Sequence, residues 1–185
     1  AMDPKKITLA DQLTEKAQAL AAELGCNCAE ATRVADTCGF IFLGVKPQVM
    51  ALMLGQIAPV LAARKDGFVL VSMAAGVAIA DIQRMAGGNY PVIRIMPNIP
   101  VSVGSGVILF DYTENVTEEA VEVFRQSMAH AGLVDPLPEK LIDAGSALSG
   151  CGPAFVYMFM EALADGGVAC GLPRAKAMQF AAATV

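Results

Sequence analysis

Four runs of apolar residues, each of strand length, alternate along the chain with segments of helical pattern. They cover residues 38–45 (CGFIFLGV), 68–73 (FVLVSM), 91–96 (PVIRIM) and 106–110 (GVILF). A strand that is apolar on both faces is typical of a parallel sheet covered by helices on each side. The alternation therefore predicts an α/β fold built on a parallel sheet.

Start and stop signals predict the elements around these strands. Gly25 stands where a helix over residues 14–24 would end, and Pro47 stands where the first turn of a following helix tolerates proline. Thr117 is a predicted N-cap, because the acidic residues that follow it suit the first turn of a helix. Strand is predicted over residues 6–10, ending at Asp11, and helix over residues 49–63 and 77–85.

The pattern changes near Pro136 and Pro138, after which only helical periodicity is found. We therefore predict an α/β domain over residues 1–138 and a helical domain that starts at residue 139. A nucleotide-binding α/β domain normally opens with a strand, a glycine-rich turn and a helix. None of these precedes Lys6, and the apolar helical run that closes at Val185 lacks a cap. The chain is interpreted as an internal portion of a larger protein.

Composition limits the classes of function. Hydrophobic residues make up 55% of the chain and charged residues 17%, so the chain can bury a sizeable core. The net charge of −5 disfavours nucleic-acid binding. Residues 68–80 are the most apolar stretch noted and are too short to span a membrane. The apolar surplus and the 10 methionines indicate a helical subunit interface. With no signal peptide recognised, a cytoplasmic location is expected.

The cysteines and the histidine do not suggest a metal site. The five cysteines are scattered, and the spacing of Cys26 and Cys28 is wrong for a zinc knuckle. Only His130 is available as a partner, and we place it on the surface of a helix. The cysteines are interpreted as free thiols in a reducing compartment.

The first candidate site is the segment Gly44, Val45, Lys46 and Pro47, which follows a predicted strand and opens a predicted helix. A glycine there lets a ligand approach the backbone, and the N–H groups of a helix start favour an anion. Lys46 would add a phosphate or ribose contact. The alternative is an ordinary strand-to-helix turn with a solvated lysine.

Two further candidates follow the next two strands. Met73, Ala74 and Ala75 are small or flexible residues at a strand end, where open α/β sheets hold ligands. Close packing of strand on helix would explain them equally well. Asn98 lies between two prolines and offers one amide in a stiff loop, which is also typical of a plain turn.

The last candidates lie in the helical domain. Ser149, Gly150, Gly152 and Pro153 predict a backbone turn that opens a helix and could bind a carboxylate. The alternative is a simple break between helices. Glu161 and Asp165 are spaced for one helix face, either as a catalytic pair or as a solvated face.

The order and wording of these segments resemble pyrroline-5-carboxylate reductase, and the resemblance extends from about residue 6 to residue 185. The matching segments are VKPQ at 45–48, VSMAAGV at 71–77, RIMPNIP at 94–100 with VG at 103–104, ALSGCGPA at 147–154, EALADG at 161–166 and GLPR at 171–174. The MPNxP and SGxGPA segments are specific to this family.

The resemblance implies a Rossmann-type dinucleotide-binding domain, without its first βα unit, and a truncated helical dimerisation domain. It implies hydride transfer from NADPH or NADH to the C=N bond of Δ1-pyrroline-5-carboxylate, giving L-proline, in a homodimer or larger homo-oligomer. The residues implied to contact cofactor are Gly44, Val45, Lys46, Pro47, Met73, Ala74 and Ala75, and those near the substrate are Asn98, Ser149, Gly150, Gly152 and Pro153.

Three departures from the family pattern qualify this interpretation. The family's glycine-rich phosphate loop is missing, and so is its later SPGGTT loop, which binds the substrate carboxylate and supplies a candidate acid. Cys151 stands where the family usually has serine. We therefore expect no catalysis by this polypeptide alone, and no catalytic residue is assigned.

Asp11 bears on the choice of cofactor. An acid at the end of this strand would bind the ribose 2′-OH and repel a 2′-phosphate, which predicts that NADH is accepted at least as well as NADPH. Two alternatives remain open. One is a non-catalytic relative, and the other is a β-hydroxyacid-type dehydrogenase, for which Lys176 lacks the expected motif.

Overall fold

The computed structural model describes residues 2–185, which form two compact units. The first unit ends at Asp143 and the second covers Ala144–Val185. The division falls inside a helix, so the domain boundary at Pro138 stays a prediction.

Strands and helices alternate through the first unit, and the second is helical. The strands are β1 (Thr8–Leu9), β2 (Asn27–Cys28), β3 (Phe40–Leu43), β4 (Val69–Ser72), β5 (Val92–Pro97), β6 (Gly106–Tyr112) and β7 (Gly132–Pro136). The helices are α1 (Thr14–Leu24), α2 (Ala31–Thr37), α3 (Pro47–Ala63), α4 (Ile79–Ala86), α5 (Glu118–Met128), α6 (Glu139–Ala169) and α7 (Arg174–Thr184). Short 3-10 turns cover Pro4–Lys6, Ile99–Val103 and Ala129–Ala131.

The main sheet has the order β3-β4-β5-β6-β7. Neighbouring strands are parallel except for β5 and β6, which are antiparallel. The prediction of an entirely parallel sheet is therefore wrong at β6. Only residues 98–105 connect β5 to β6, and a parallel crossover needs about a dozen residues or more.

Each face of this sheet has its own core. Leu43 of β3 and Leu70 of β4 pack with Met50 and Leu54 of α3, and with Ile82 of α4. On the opposite face, side chains of β4, β5 and β6 pack against α5, and they include Val71, Ile93, Phe110 and Phe124. The double cover explains why the central strands are apolar along their whole length.

A second, two-stranded sheet pairs β1 with β2 in parallel. The carbonyls of Ile7 and Leu9 accept hydrogen bonds from the β2 side, so the backbone of Thr8 faces the other way. In β3 the carbonyl of Gly39 accepts from Val69, and by alternation the backbone of Phe42 points away from β4. Each sheet therefore has an outer edge on which these backbone groups are open within residues 2–185.

The local signals at helix ends are confirmed. Gly25 ends α1 in the left-handed conformation, with φ 71°, and Pro47 is the first residue of α3. The Thr117 side chain accepts a hydrogen bond from the N–H of Ala120. The strand predicted over residues 6–10 is shorter, because Pro4 and the Asp3 cap start a 3-10 turn that extends to Lys6. His130 lies in a short 3-10 turn rather than in a helix.

Residues 149–153 do not form the predicted turn. They lie inside α6, a continuous helix of 31 residues that also contains Pro153. Backbone N–H groups within a helix are directed to carbonyls one turn earlier and are not available to bind a carboxylate. The predicted carboxylate-binding turn and the predicted helix break are both wrong. Pro153 lacks an N–H, but the turns on either side continue the helix.

In the second unit, α7 packs on α6 through very small residues. Ala164, Ala177 and Ala181 are buried together. A Cβ added to Gly167 would lie 3.2 Å from the Ala177 Cβ, so the two helices approach closely. Arg174 forms an ion pair with Asp165, which gives Asp165 a structural partner.

One helix of the described chain, α6, is long and apolar enough to span a membrane by length and composition, with a mean hydropathy of 1.3. Residues 68–80, predicted from the sequence to be too short to span a membrane, contain β4, the segment after it and only the first residues of α4. A single helix of this kind is weak support for a membrane span, since a helix that packs on a partner subunit has the same properties.

Arg64 holds the turn that leads into β3. Its side chain is almost fully buried, and one guanidinium nitrogen donates to the carbonyls of Ala35 and Cys38, at 2.7 and 2.8 Å. The guanidinium also lies over the Phe68 ring, 4.7 Å from its centroid. Hydrogen bonds from the Arg64 side chain lower the pKa of Asp66. This pairing stabilises the fold at neutral pH and is lost as acid protonates the carboxyl.

We predict that Arg64→Met lowers the free energy of unfolding by about 2 kcal/mol, because two buried carbonyls lose a charged donor. Urea denaturation followed by circular dichroism measures this. Asp66→Asn is the matched control and should stay close to the wild type, since the Asp66 side chain is 65% exposed. Equal losses for both variants would contradict the assignment to the carbonyl contacts.

Candidate functional site

The carboxyl ends of β3, β4 and β5 lie at the same edge of the sheet. Leu43, the last residue of β3, is directly opposite Ser72, the last residue of β4, and Ser72 is opposite Arg94 of β5. The segments that leave β3 and β4 therefore start side by side, while β5 continues in the same direction for three more residues to Pro97. The predicted residues 44–47 and 73–75 thus lie together at this edge, which is where open α/β sheets bind ligands, and Asn98 follows the end of β5.

The segment after β3 leaves space for a ligand. A Cβ added to Gly44 would meet no atom of the described chain within 4 Å. Lys46 is exposed and is the residue before Pro47, the first residue of α3. No side chain caps the start of this 17-residue helix. Its first N–H groups and the Lys46 ammonium are thus arranged to bind an anion.

The segment after β4 has few bonds of its own. The Ser72 hydroxyl accepts from the N–H of Ala74 at 3.4 Å, and Gly76 has φ 71°. Ala74 is buried, whereas Ala75 is exposed. The start of α4 differs from that of α3, because the Ile79 N–H donates to the Glu139 carboxylate at 2.7 Å.

The Asn98 amide closes the connection between β5 and β6. Its side-chain oxygen accepts the Val107 N–H at 2.8 Å, and the two residues also pair through their backbones. Loop packing is tight nearby. A Cβ on Gly106 would lie 2.4 Å from the Val101 nitrogen, and one on Gly132 would lie 2.2 Å from the Gly106 carbonyl oxygen. Asn98 is therefore held in a rigid loop.

A buried arginine beside this edge was not predicted as a site residue. Arg94 is 4% exposed, and its guanidinium contacts Glu139 at 3.2 Å and Asp143 at 2.9 Å. Asp111, opposite Arg94 on β6, accepts the N–H of Glu139 at 2.5 Å. The signal was present in the sequence, because Arg94 is the one charged residue in the apolar run PVIRIM.

The other predicted residues belong to other elements of the chain. Asp11 follows β1 in the two-stranded sheet, and its side chain accepts the N–H of Leu13 at 2.8 Å. Residues 149–153 belong to α6 in the second unit. Among residues 2–185, no group of three or more His, Cys, Asp or Glu side chains is placed to hold a metal ion.

Comparison with known proteins identifies the family. A profile described as pyrroline-5-carboxylate reductase dimerisation matches residues 139–185, and one described as NADP oxidoreductase, coenzyme F420-dependent, matches residues 1–76. The pyrroline-5-carboxylate reductase of Corynebacterium melassecola is 35% identical over 99% of this chain and 68% of that protein. The chain belongs to the pyrroline-5-carboxylate reductase family. The resemblance found in the sequence is confirmed.

Comparison with solved structures leads to the same family. A pyrroline-5-carboxylate reductase from Coxiella burnetii matches with a TM-score of 0.90 and 27% identity, over 98% of this chain and 67% of that one. The reductase of Plasmodium falciparum, solved with NADP bound, matches with a TM-score of 0.84 and 27% identity, over 98% and 66%. The predicted Rossmann-type domain and helical dimerisation region are confirmed. The chain spans about two thirds of these proteins and about half of the plant reductases that it matches.

Two glycines of this chain are expected to differ in how much an added side chain lowers stability. We predict that Gly132→Ala lowers the free energy of unfolding by about 3 kcal/mol or more, because its φ of 124° disfavours a side chain and the added Cβ meets backbone. Gly44→Ala is the control and should leave stability near that of the wild type. Thermal unfolding compares them, and a mild effect at Gly132 would contradict the tight packing.

Proposed function

We propose that the chain is part of an enzyme that reduces the C=N bond of Δ1-pyrroline-5-carboxylate with NADPH or NADH, giving L-proline in proline biosynthesis. The observation that carries the proposal is the 35% identity to the Corynebacterium reductase over 99% of the chain. The site agrees with it, since the segments after β3 and β4 start side by side at one sheet edge. When bound, the reduced nicotinamide supplies a hydride to the imine carbon, and the imine nitrogen takes a proton.

The start of α3 is the proposed anchor for the cofactor's phosphates. The helix has no side-chain cap, the space beside Gly44 is open, and Lys46 adds a positive charge. The start of α4 is excluded from this role, because the Glu139 carboxylate already accepts the Ile79 N–H. Val45 and Pro47 line the same crevice, and residues 73–75 border the nicotinamide and its ribose.

Asn98 and residues 149–153 are the proposed neighbours of the substrate. The Asn98 oxygen accepts the Val107 N–H, which fixes the orientation of the amide in the loop. Ser149, Gly150, Gly152 and Pro153 are helical, so they would contribute through the Ser149 hydroxyl and the glycine surface rather than through backbone N–H groups. No side chain of the chain is assigned as the proton donor.

Assembly is proposed to occur through α6 and α7. Phe155 is 68% exposed, and Tyr157 and Phe159 are 55% and 56% exposed. Exposed aromatic residues in this density are typical of a surface that a partner covers. The match of residues 139–185 to the dimerisation profile supports a homodimer or a larger homo-oligomer. The proposed location is the cytoplasm.

The reductase activity is tested by following NADPH oxidation that depends on pyrroline-5-carboxylate. The assay is made on the chain and, where the chain is part of a longer protein, on that protein. Substrate-dependent oxidation with proline as product supports the proposal. Cofactor binding without turnover of this substrate by the longer protein would instead favour the non-catalytic relative.

We predict that Lys46→Ala raises the Kd of NADPH about tenfold, because a charge-assisted contact to the cofactor is lost. Lys65→Ala is the matched control. It removes the same charge just beyond the opposite end of α3 and should leave the Kd unchanged. Isothermal titration calorimetry measures both, and equal effects would indicate a general charge effect rather than a local contact.

Asp11 is predicted to set the preference between the two cofactors. Asp11→Asn should raise affinity for NADPH relative to NADH by about tenfold, since a carboxylate repels the 2′-phosphate. Asp135→Asn, on β7, is the charge-matched control. The ratio of the two Kd values measures the effect. A wild-type protein that strongly prefers NADPH would contradict this assignment of Asp11.

A further inference from the structure

Three acidic residues and one arginine join four elements of the first unit. Arg94 projects from β5 on the face that holds Leu70 and Leu43, where an apolar side chain would be expected. Its guanidinium donates to Glu139 and Asp143, which stand one turn apart at the start of α6. These two carboxylates therefore share one buried positive charge.

At the start of two helices in this cluster, a carboxylate accepts the N–H of the first helical residue. Asp111 of β6 accepts the Glu139 N–H and so caps α6. The Glu139 carboxylate in turn accepts the N–H of Ile79, the first residue of α4. A negative charge at a helix start is favourable against the helix dipole. The same Glu139 oxygen accepts from both Arg94 and Ile79, so its position is fixed from two sides.

The Ile79 contact matters because Ile79 directly follows the loop between β4 and α4. Residues 73–78 join β4 to α4, and the bonds inside this loop are long. The Ala74 N–H is 3.4 Å from the Ser72 hydroxyl, and the Val77 N–H is 3.3 Å from the Ala74 carbonyl. A segment with so few internal bonds depends on its two ends for its conformation. One end is the buried Ser72, and the other is Ile79.

We propose that Glu139, held by Arg94, is a positioning residue for the cofactor loop. By accepting the Ile79 N–H it fixes the far end of residues 73–78, the loop whose first three residues are proposed to border the nicotinamide. The relevance to the cofactor rests on the proposed function. The claim that Glu139 fixes the end of residues 73–78 rests only on contacts within the first unit.

Asp143 provides a matched control. It contacts the same guanidinium at 2.9 Å, and its side chain is 75% exposed. None of its hydrogen bonds in the described chain reaches α4 or residues 73–78. Removing Asp143 therefore tests the loss of one partner of Arg94 without removing the contact to Ile79.

The test is hydrogen exchange on the chain without cofactor. Glu139→Ala should speed exchange of the Ile79 amide and of residues 73–78 about tenfold, because a charged acceptor is lost. Glu139→Gln keeps an acceptor oxygen and should restore most of the protection. Asp143→Ala should leave residues 73–78 as in the wild type. If Glu139→Ala does not fold, Glu139→Asp, which shortens the side chain by one methylene, takes its place.

Two results would overturn the proposal. One is an equal rise of exchange in residues 73–78 for Asp143→Ala and Glu139→Ala. The other is a uniform rise over all slowly exchanging amides, which reports lost global stability rather than lost positioning.

A separate experiment measures the binding of NADPH. The Kd of NADPH should rise several-fold in Glu139→Ala and stay unchanged in Asp143→Ala. If the wild-type chain binds no NADPH, the proposed cofactor site is contradicted, and hydrogen exchange still decides the positioning role. If NADPH binds equally to all variants while exchange in the loop changes, the loop is positioned by Glu139 but does not contact the cofactor, and the proposal fails in that part.

Discussion

The parallel register of β3, β4 and β5 is the constraint on which the candidate site depends. Because these strands run in the same direction and β3 and β4 end at paired residues, the segments that follow them leave the same edge of the sheet. The segments after β3 and β4 differ in whether the N–H groups at the start of the following helix are already bonded. The start of α3 is open, whereas that of α4 is already bonded to Glu139.

Arg94 shows how a charge in an apolar strand can be stabilised by ion pairs with residues that are distant in sequence. Its partners lie some 45 and 49 residues away along the chain, at the first turn of α6. Both partners retain contact with solvent, at 31% and 75% side-chain exposure, so the desolvation cost falls mainly on the arginine. The arrangement links the sheet to the first residues of the helix that continues into the dimerisation segment.

Periodicity and local signals predicted most of the first unit, since apolar runs, Gly25, Pro47 and Thr117 act through neighbours in sequence. The errors have physical causes. β2 and α2 are too short to show a period, and the direction of β6 depends on the length of a connection rather than on composition. Residues 149–153 contain the residues of a turn, yet helical hydrogen bonds on both sides carry α6 through them. Arg94 was visible in the sequence, but its partners became evident only from the fold.

The edges of β1 and β3 that face away from β2 and β4 affect how association is measured when residues 2–185 are prepared alone. An unpaired strand edge is a template for any extended segment, including one from another copy of the same chain. Association can thus arise by strand addition at these edges as well as by packing of α6 and α7. Sedimentation alone reports the sum of both routes. Hydrogen exchange at the Thr8 and Phe42 amides would separate them, because only the strand-edge route protects these backbone groups.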